Sequence, residues 1–160
     1  MARLKAIAST LARLRRDQRG AMAIETAIIA PVLVLMSLGS YQVSGLVSRQ
    51  TELESAAGEG VAIALASSPD TAAKRTTVQQ VLMASTGLPT ANVTVSEVYR
   101  CNSATAYITD RTTCTSGVIS TFTKIYLTDT YTPAWTRFGV GSAINYRVTR
   151  YAQYKQASVP

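Results

Sequence analysis

Between Ala21 and Gly45 the chain carries one formal charge, Glu25, in a stretch otherwise built of apolar and small polar residues. About 20 apolar residues at about 1.5 Å rise each span a hydrocarbon core about 30 Å thick, so the first reading is a single membrane-spanning helix. Its flank orients it. Arg3, Lys5, Arg13, Arg15, Arg16 and Arg19 against Asp17 give the first twenty residues a net charge of +5, and such segments stay on the cytoplasmic side. The C-terminal part is then exported.

An acid near mid-membrane costs roughly 2.5 to 3.5 kcal/mol on insertion scales, so Glu25 calls for a partner or a function. Cleavage after Gly20 would supply the partner. A new α-amino group on Ala21 would sit about one helical turn from Glu25, and the amine of a neighbouring subunit would also reach it, forming the pair on assembly in register.

The order Arg19-Gly20, Ala21-Met22-Ala23-Ile24, Glu25, then Ala27-Ile28-Ile29-Ala30-Pro31 and an apolar run resembles the prepilin processing site of TadE-like proteins. These are pseudopilins, or minor pilins, of the tight-adherence (Tad, type IVc) pilus. The resemblance covers residues 15 to 65 and is only general beyond. It implies that a membrane-embedded prepilin peptidase cuts between Gly20 and Ala21, and that Glu25 guides subunit alignment. Thr26 departs from the pattern, since the family's prepilins usually carry an aromatic residue after the acid. Two other readings of the stretch stand beside this one: an uncleaved signal anchor, and a secretory signal cut after Ser37-Leu38-Gly39. Neither accounts for an acid five residues past a glycine.

The net charge of +7 suggests nucleic acid, yet residues 21 to 160 hold ten basic against eight acidic side chains. The basicity is therefore mainly a topology signal, and no nucleic-acid partner is expected. Histidine is absent and no paired C-x-x-C occurs, which removes the usual zinc ligands and general bases. No metal, cofactor, small-molecule substrate or enzymatic activity is expected. In an oxidising compartment Cys101 and Cys114 would form one disulfide, worth about 3 kcal/mol in the chain-entropy model; two buried thiols are the alternative.

Residues 1 to 14 have apolar positions at helical spacing with basic residues between, a pattern suited to an anionic membrane surface. Pro31 removes a backbone hydrogen bond and crowds the carbonyl of Ala27, so it kinks or loosens the spanning helix. That helix continues past the membrane, because Val43, Leu46, Leu53, Ala57, Gly60, Val61 and Ala64 share one sector at about 100° per residue. Ser68-Pro69-Asp70 reads as the start of a second helix that carries Val78, Val81 and Leu82 inward, with Lys74-Arg75 on its solvated face and a stop at Gly87 and Pro89. From Asn92 the period becomes two, giving a strand to Cys101, a second around Ile119 to Tyr131 and a third from Ile144. Tyr146, Tyr151 and Tyr154 read either as a contact surface or as half-buried packing.

The expected protein is α+β. It has a removable leader at residues 1–20, a long helix at 21–66 that spans the membrane at about 21–45, and an exported domain at 67–160 with an antiparallel sheet of at least three strands. As a pseudopilin it would help initiate or assemble a Tad pilus for surface adhesion, with the prepilin peptidase, the major pilin and other minor pilins as partners. It would sit in the bacterial inner membrane with its C-terminal domain in the periplasm, and outside the cell once in the pilus. The other function class is an uncleaved, single-pass periplasmic binding or scaffold protein.

Overall fold

The structure, a computed structural model, describes residues 18–159. The membrane-surface pattern of residues 1 to 14 lies outside it. Helix α1 runs Gln18–Ser67 and helix α2 Ala72–Thr86, followed by strands β1 (Val93–Cys101), β2 (Gly117–Tyr131) and β3 (Ile144–Val159). The chain divides into two compact units, one up to Ser44 and one from Gly45, and α1 contributes to both. The first unit is helix throughout its described residues, with apolar side chains such as Ile28 and Leu35 exposed.

In the second unit the three strands form one antiparallel sheet in the order β1-β2-β3. Val93 stands opposite Leu127, which stands opposite Val148, and this row belongs to the core. The architecture is thus α+β. Three strands with one apolar face need a cover, and α1 supplies it through a stripe of small and apolar residues: Leu53, Ala56, Ala57, Gly60 and Ala64 are buried. Gly60 permits the close approach. A Cβ there would stand 2.9 Å from Ile125 Cδ1 and 3.0 Å from Leu82 Cδ2, both on fully or almost fully buried side chains. Val43, placed in the same sector by periodicity, is exposed in the first unit.

The second helix starts later than Ser68-Pro69-Asp70 suggests. Ser68 takes a left-handed conformation (φ 43°) and its N–H bonds to Ala64 O at 3.0 Å, so it closes α1 instead of opening α2. The cap is Thr71, whose Oγ1 accepts from Lys74 N at 3.3 Å. Val78 and Leu82 are buried as expected, but Val81 is 43% exposed, since it lies one residue off the inward face. The helix ends at Gly87 (φ 68°), whose N–H bonds to Met83 O, and Leu88 is buried behind it. Arg75 is not part of a solvated face. Its guanidinium bonds to Glu97 Oε2 at 3.0 Å and to Pro69 O at 3.1 Å, while Lys74 alone pairs outward with Asp70.

Two further sets of polar contacts join distant elements. Arg49 on α1 donates to Asp129 Oδ2 on β2 at 2.6 Å and to Thr86 O at the end of α2 at 3.3 Å. Tyr146 on β3 donates to Leu46 O on α1 at 3.0 Å. At the other end of the sheet Tyr154 donates to Glu97 Oε1 at 2.9 Å, completing an Arg75–Glu97–Tyr154 chain across α2, β1 and β3. Tyr146 and Tyr154 are therefore packed groups with bonded hydroxyls.

Gly60→Val is expected to lower unfolding free energy by about 1 to 3 kcal/mol, since the added carbons meet Ile125 and Leu82 inside a filled core. Chemical denaturation of the two proteins measures it, and unchanged stability would show that α1 does not press on the sheet there. Burial and the bond to Glu97 hold the Tyr154 hydroxyl well above the ordinary phenol range. Its folded form keeps the proton, so this contribution is whole below about pH 10 and is lost as pH rises beyond that value. Tyr154→Phe should lower stability at neutral pH by about 1 to 2 kcal/mol and flatten the fall in stability above pH 10. Parallel pH profiles for the two proteins would contradict this.

Candidate functional site

The segment around Glu25 is built on the apolar half of α1. Met22, Glu25, Thr26, Ile29, Ala30 and Leu33 line one shallow groove along the helix surface, as their three- and four-residue spacing requires. Glu25 is thus the one acid on an apolar stripe, and it has no hydrogen-bond or ion-pair partner among the described residues. Gly20 and Ala21 lie in the same helix, five and four residues before it. Pro31 also lies inside the helix, and the carbonyl of Ala27 loses its usual donor there.

Three hydroxyls of this half are satisfied within the helix. Thr26 Oγ1 donates to Met22 O at 2.8 Å, Ser37 Oγ to Leu33 O at 2.8 Å and Ser40 Oγ to Met36 O at 2.9 Å. In a hydrocarbon surrounding such bonds remove the cost of a bare hydroxyl, while the Glu25 carboxyl, the one charged side chain of residues 21–45, is still to be accommodated. By length and composition α1 is able to cross a membrane, with a mean hydropathy of 2.0 in its most apolar window and none of that window buried within the chain.

The cysteines lie in the second unit. Cys101, at the end of β1, and Cys114 form a disulfide with a Cα–Cα distance of 5.6 Å. The loop it closes is held by a second clasp: Asn102 Oδ1 accepts from Val118 N at 2.7 Å and its Nδ2 donates to Ser116 O at 3.3 Å. Gly117 sits against that amide at φ 92°, where a Cβ would overlap Asn102. Tyr99 and Ile108 exchange two backbone bonds of 2.8 and 2.9 Å, which fold the loop back along β1. Tyr107 then lies on the sheet face away from α1, stacked on Tyr151 with ring centroids 4.0 Å apart and edge-on to Phe122 at 5.2 Å, with the Arg100 guanidinium 5.4 Å from its ring. The sequence pattern missed this cluster, since its members come from the loop and three strands.

No cluster of three or more His, Cys, Asp or Glu able to hold a metal occurs among the described residues. The arrangement offers an apolar helix with one acid, a disulfide-clasped loop and a partly covered sheet face. No curated protein and no solved structure matches the chain. Residues 20–62, from the glycine before Ala21 to the buried stripe of α1, match the family of TadE-like proteins, and over that stretch the chain is similar to them.

Proposed function

We propose that this chain is a TadE-like pseudopilin of a Tad (type IVc) pilus, trimmed after Gly20 and assembled through α1. The observation that carries this reading is the lone carboxyl of Glu25 on an exposed apolar helix face, five residues past Gly20, inside the stretch that is similar to TadE-like proteins. In the inner membrane that face meets lipid. In a filament it meets the helices of other subunits, and the α-amine freed at Ala21 neutralises Glu25 on its own or a neighbouring chain.

The role is structural. The helix waits in the membrane with its basic leader in the cytoplasm and the unit from Gly45 in the periplasm, and the prepilin peptidase, the major pilin and other minor pilins are the partners. The poor helix propensity of glycine at position 20 eases the local opening that cleavage needs. The gap left by Pro31 gives the helix a place to loosen as subunits enter or leave a filament.

The mature chain should begin at Ala21, and intact mass of protein from its native envelope checks this; retention of residues 1–20 in cells with an active peptidase would favour a permanent tether. Glu25→Ala should ease membrane insertion by up to about 3 kcal/mol yet weaken assembly, because the amine loses its partner. Crosslinking to pilus subunits at matched membrane levels separates these effects. Unchanged crosslinking and piliation would make Glu25 a tolerated polar residue.

A further inference from the structure

We propose that the sheet face turned away from α1 binds an acidic polysaccharide. Antiparallel partners share a side of the sheet, and the helix side is identified by Ile125 against Gly60. On the opposite side the pairing of the three strands places no acidic residue at all. It places one cation on each strand: Arg100 on β1, Lys124 on β2 and Arg147 on β3. Arg100 stands opposite Ser120 and Arg147 opposite Thr128, four residues to either side of Lys124. At about 3.3 Å per residue the charges form a diagonal row with steps of at least about 13 Å.

The carboxylates of the strands and of the disulfide loop are already committed. Asp129 is held on the other side of the sheet by Arg49 at 2.6 Å, Glu97 by Arg75 at 3.0 Å, and Asp110 in the loop accepts from Thr112. Arg147 is exposed and has no ion-pair partner among the described residues. Three cations on this face stand against one carboxylate at the groove, Asp129, which is already paired with Arg49, so the face is net positive and favours an anionic partner.

The side chains around Arg147 identify the kind of anion. A shallow polar groove lies beside Arg147, lined by Asn92, Tyr126, Thr128, Thr130 and Asn145 together with Tyr146 and the Arg49-bound Asp129, and Thr130 Oγ1 is bonded to Asn145 Oδ1 at 2.9 Å. Amides and hydroxyls of this sort exchange hydrogen bonds with sugar hydroxyls, and the cations take the carboxylates. Single-stranded nucleic acid needs open ring faces on which bases stack. Here Tyr107 and Tyr151 stack on each other, and the Lys124 ammonium lies 5.6 Å from the centre of the Tyr126 ring. An extended polymer bearing a carboxylate on its sugars fits both features. This inference rests on the sheet face and not on pilus assembly, so either can fail alone.

The test uses the full chain in detergent micelles, with sodium polygalacturonate as the probe, dextran as a neutral polymer and oligothymidylate as a second polyanion. Lys124→Gln with Arg147→Gln is compared with Arg150→Gln with Lys155→Gln, which removes equal charge from the other side of the sheet. The first pair should weaken polygalacturonate binding about tenfold and the second less than about twofold, with no binding to dextran. The single exposed-site change Arg147→Gln should give a smaller loss in the same direction, and circular dichroism reports whether each variant is folded. Equal losses for both pairs would reduce the effect to overall charge, including that of residues 1–20, and would overturn the proposal. So would absence of binding, binding of dextran, or tighter binding of oligothymidylate with the same dependence on Lys124 and Arg147.

Discussion

The contact of α1 with the central strand at Gly60 is the constraint on which the second unit depends. With no side chain at that position the helix backbone lies against Ile125 and Leu82, so α1, α2 and β2 meet at one point. A three-stranded sheet with one apolar face is not stable in water by itself, and neither is a short helix such as α2. The Ala- and Gly-rich stripe of α1 offers both of them a surface at close range. The polar bonds follow from that proximity: once α1 lies on the sheet, Arg49 reaches Asp129 and Thr86, and Leu46 O receives the Tyr146 hydroxyl.

One helix thus answers to two environments. In its first half the hydroxyls of Thr26, Ser37 and Ser40 turn back onto the carbonyls four residues earlier and the apolar side chains stay exposed, an arrangement suited to hydrocarbon and costly in water. In its second half most exposed residues are polar, Val47 and Leu65 being exceptions, and the stripe of Leu53, Ala56, Ala57, Gly60 and Ala64 is buried against protein. Glu25 is the exception to the first pattern. A membrane helix bears the cost of such a carboxyl most readily where the assembled state supplies a cation, which is why it carries the functional reading.

The two faces of the sheet also differ in how they are covered. The helix side is packed against α1 and α2 around Val93, Ile125, Leu127 and Val148, whereas the other side is covered where the disulfide, the Asn102 clasp and the Tyr99–Ile108 bonds hold the loop over Phe122. The remainder of that face keeps its hydroxyls, amides and cations in solvent.

Local patterns were enough for the elements themselves. The apolar run with one acid after a glycine, the sector of Leu53, Ala57, Gly60 and Ala64, the stop at Gly87 and the period of two beyond Asn92 depend on neighbours in sequence, and helix, second helix and three strands follow from them. Where an element begins was less legible: Ser68, Pro69 and Asp70 have the composition of a helix start, but Ser68 is needed to end α1, and the cap passes to Thr71. The partners of charged residues were not legible at all. Arg75 sits beside Lys74 in the sequence, and only the crossing of α2 over β1 brings Glu97 to one and leaves the other to Asp70 in solvent. In the same way an acid-free sheet face is a property of strand register, which sorts Arg100, Lys124 and Arg147 to one side and Glu97 and Asp129 to the other. Sequence determined which segments bury apolar surface, because that depends on period; tertiary structure decided which polar groups meet, because that depends on register and crossing between segments far apart in the chain.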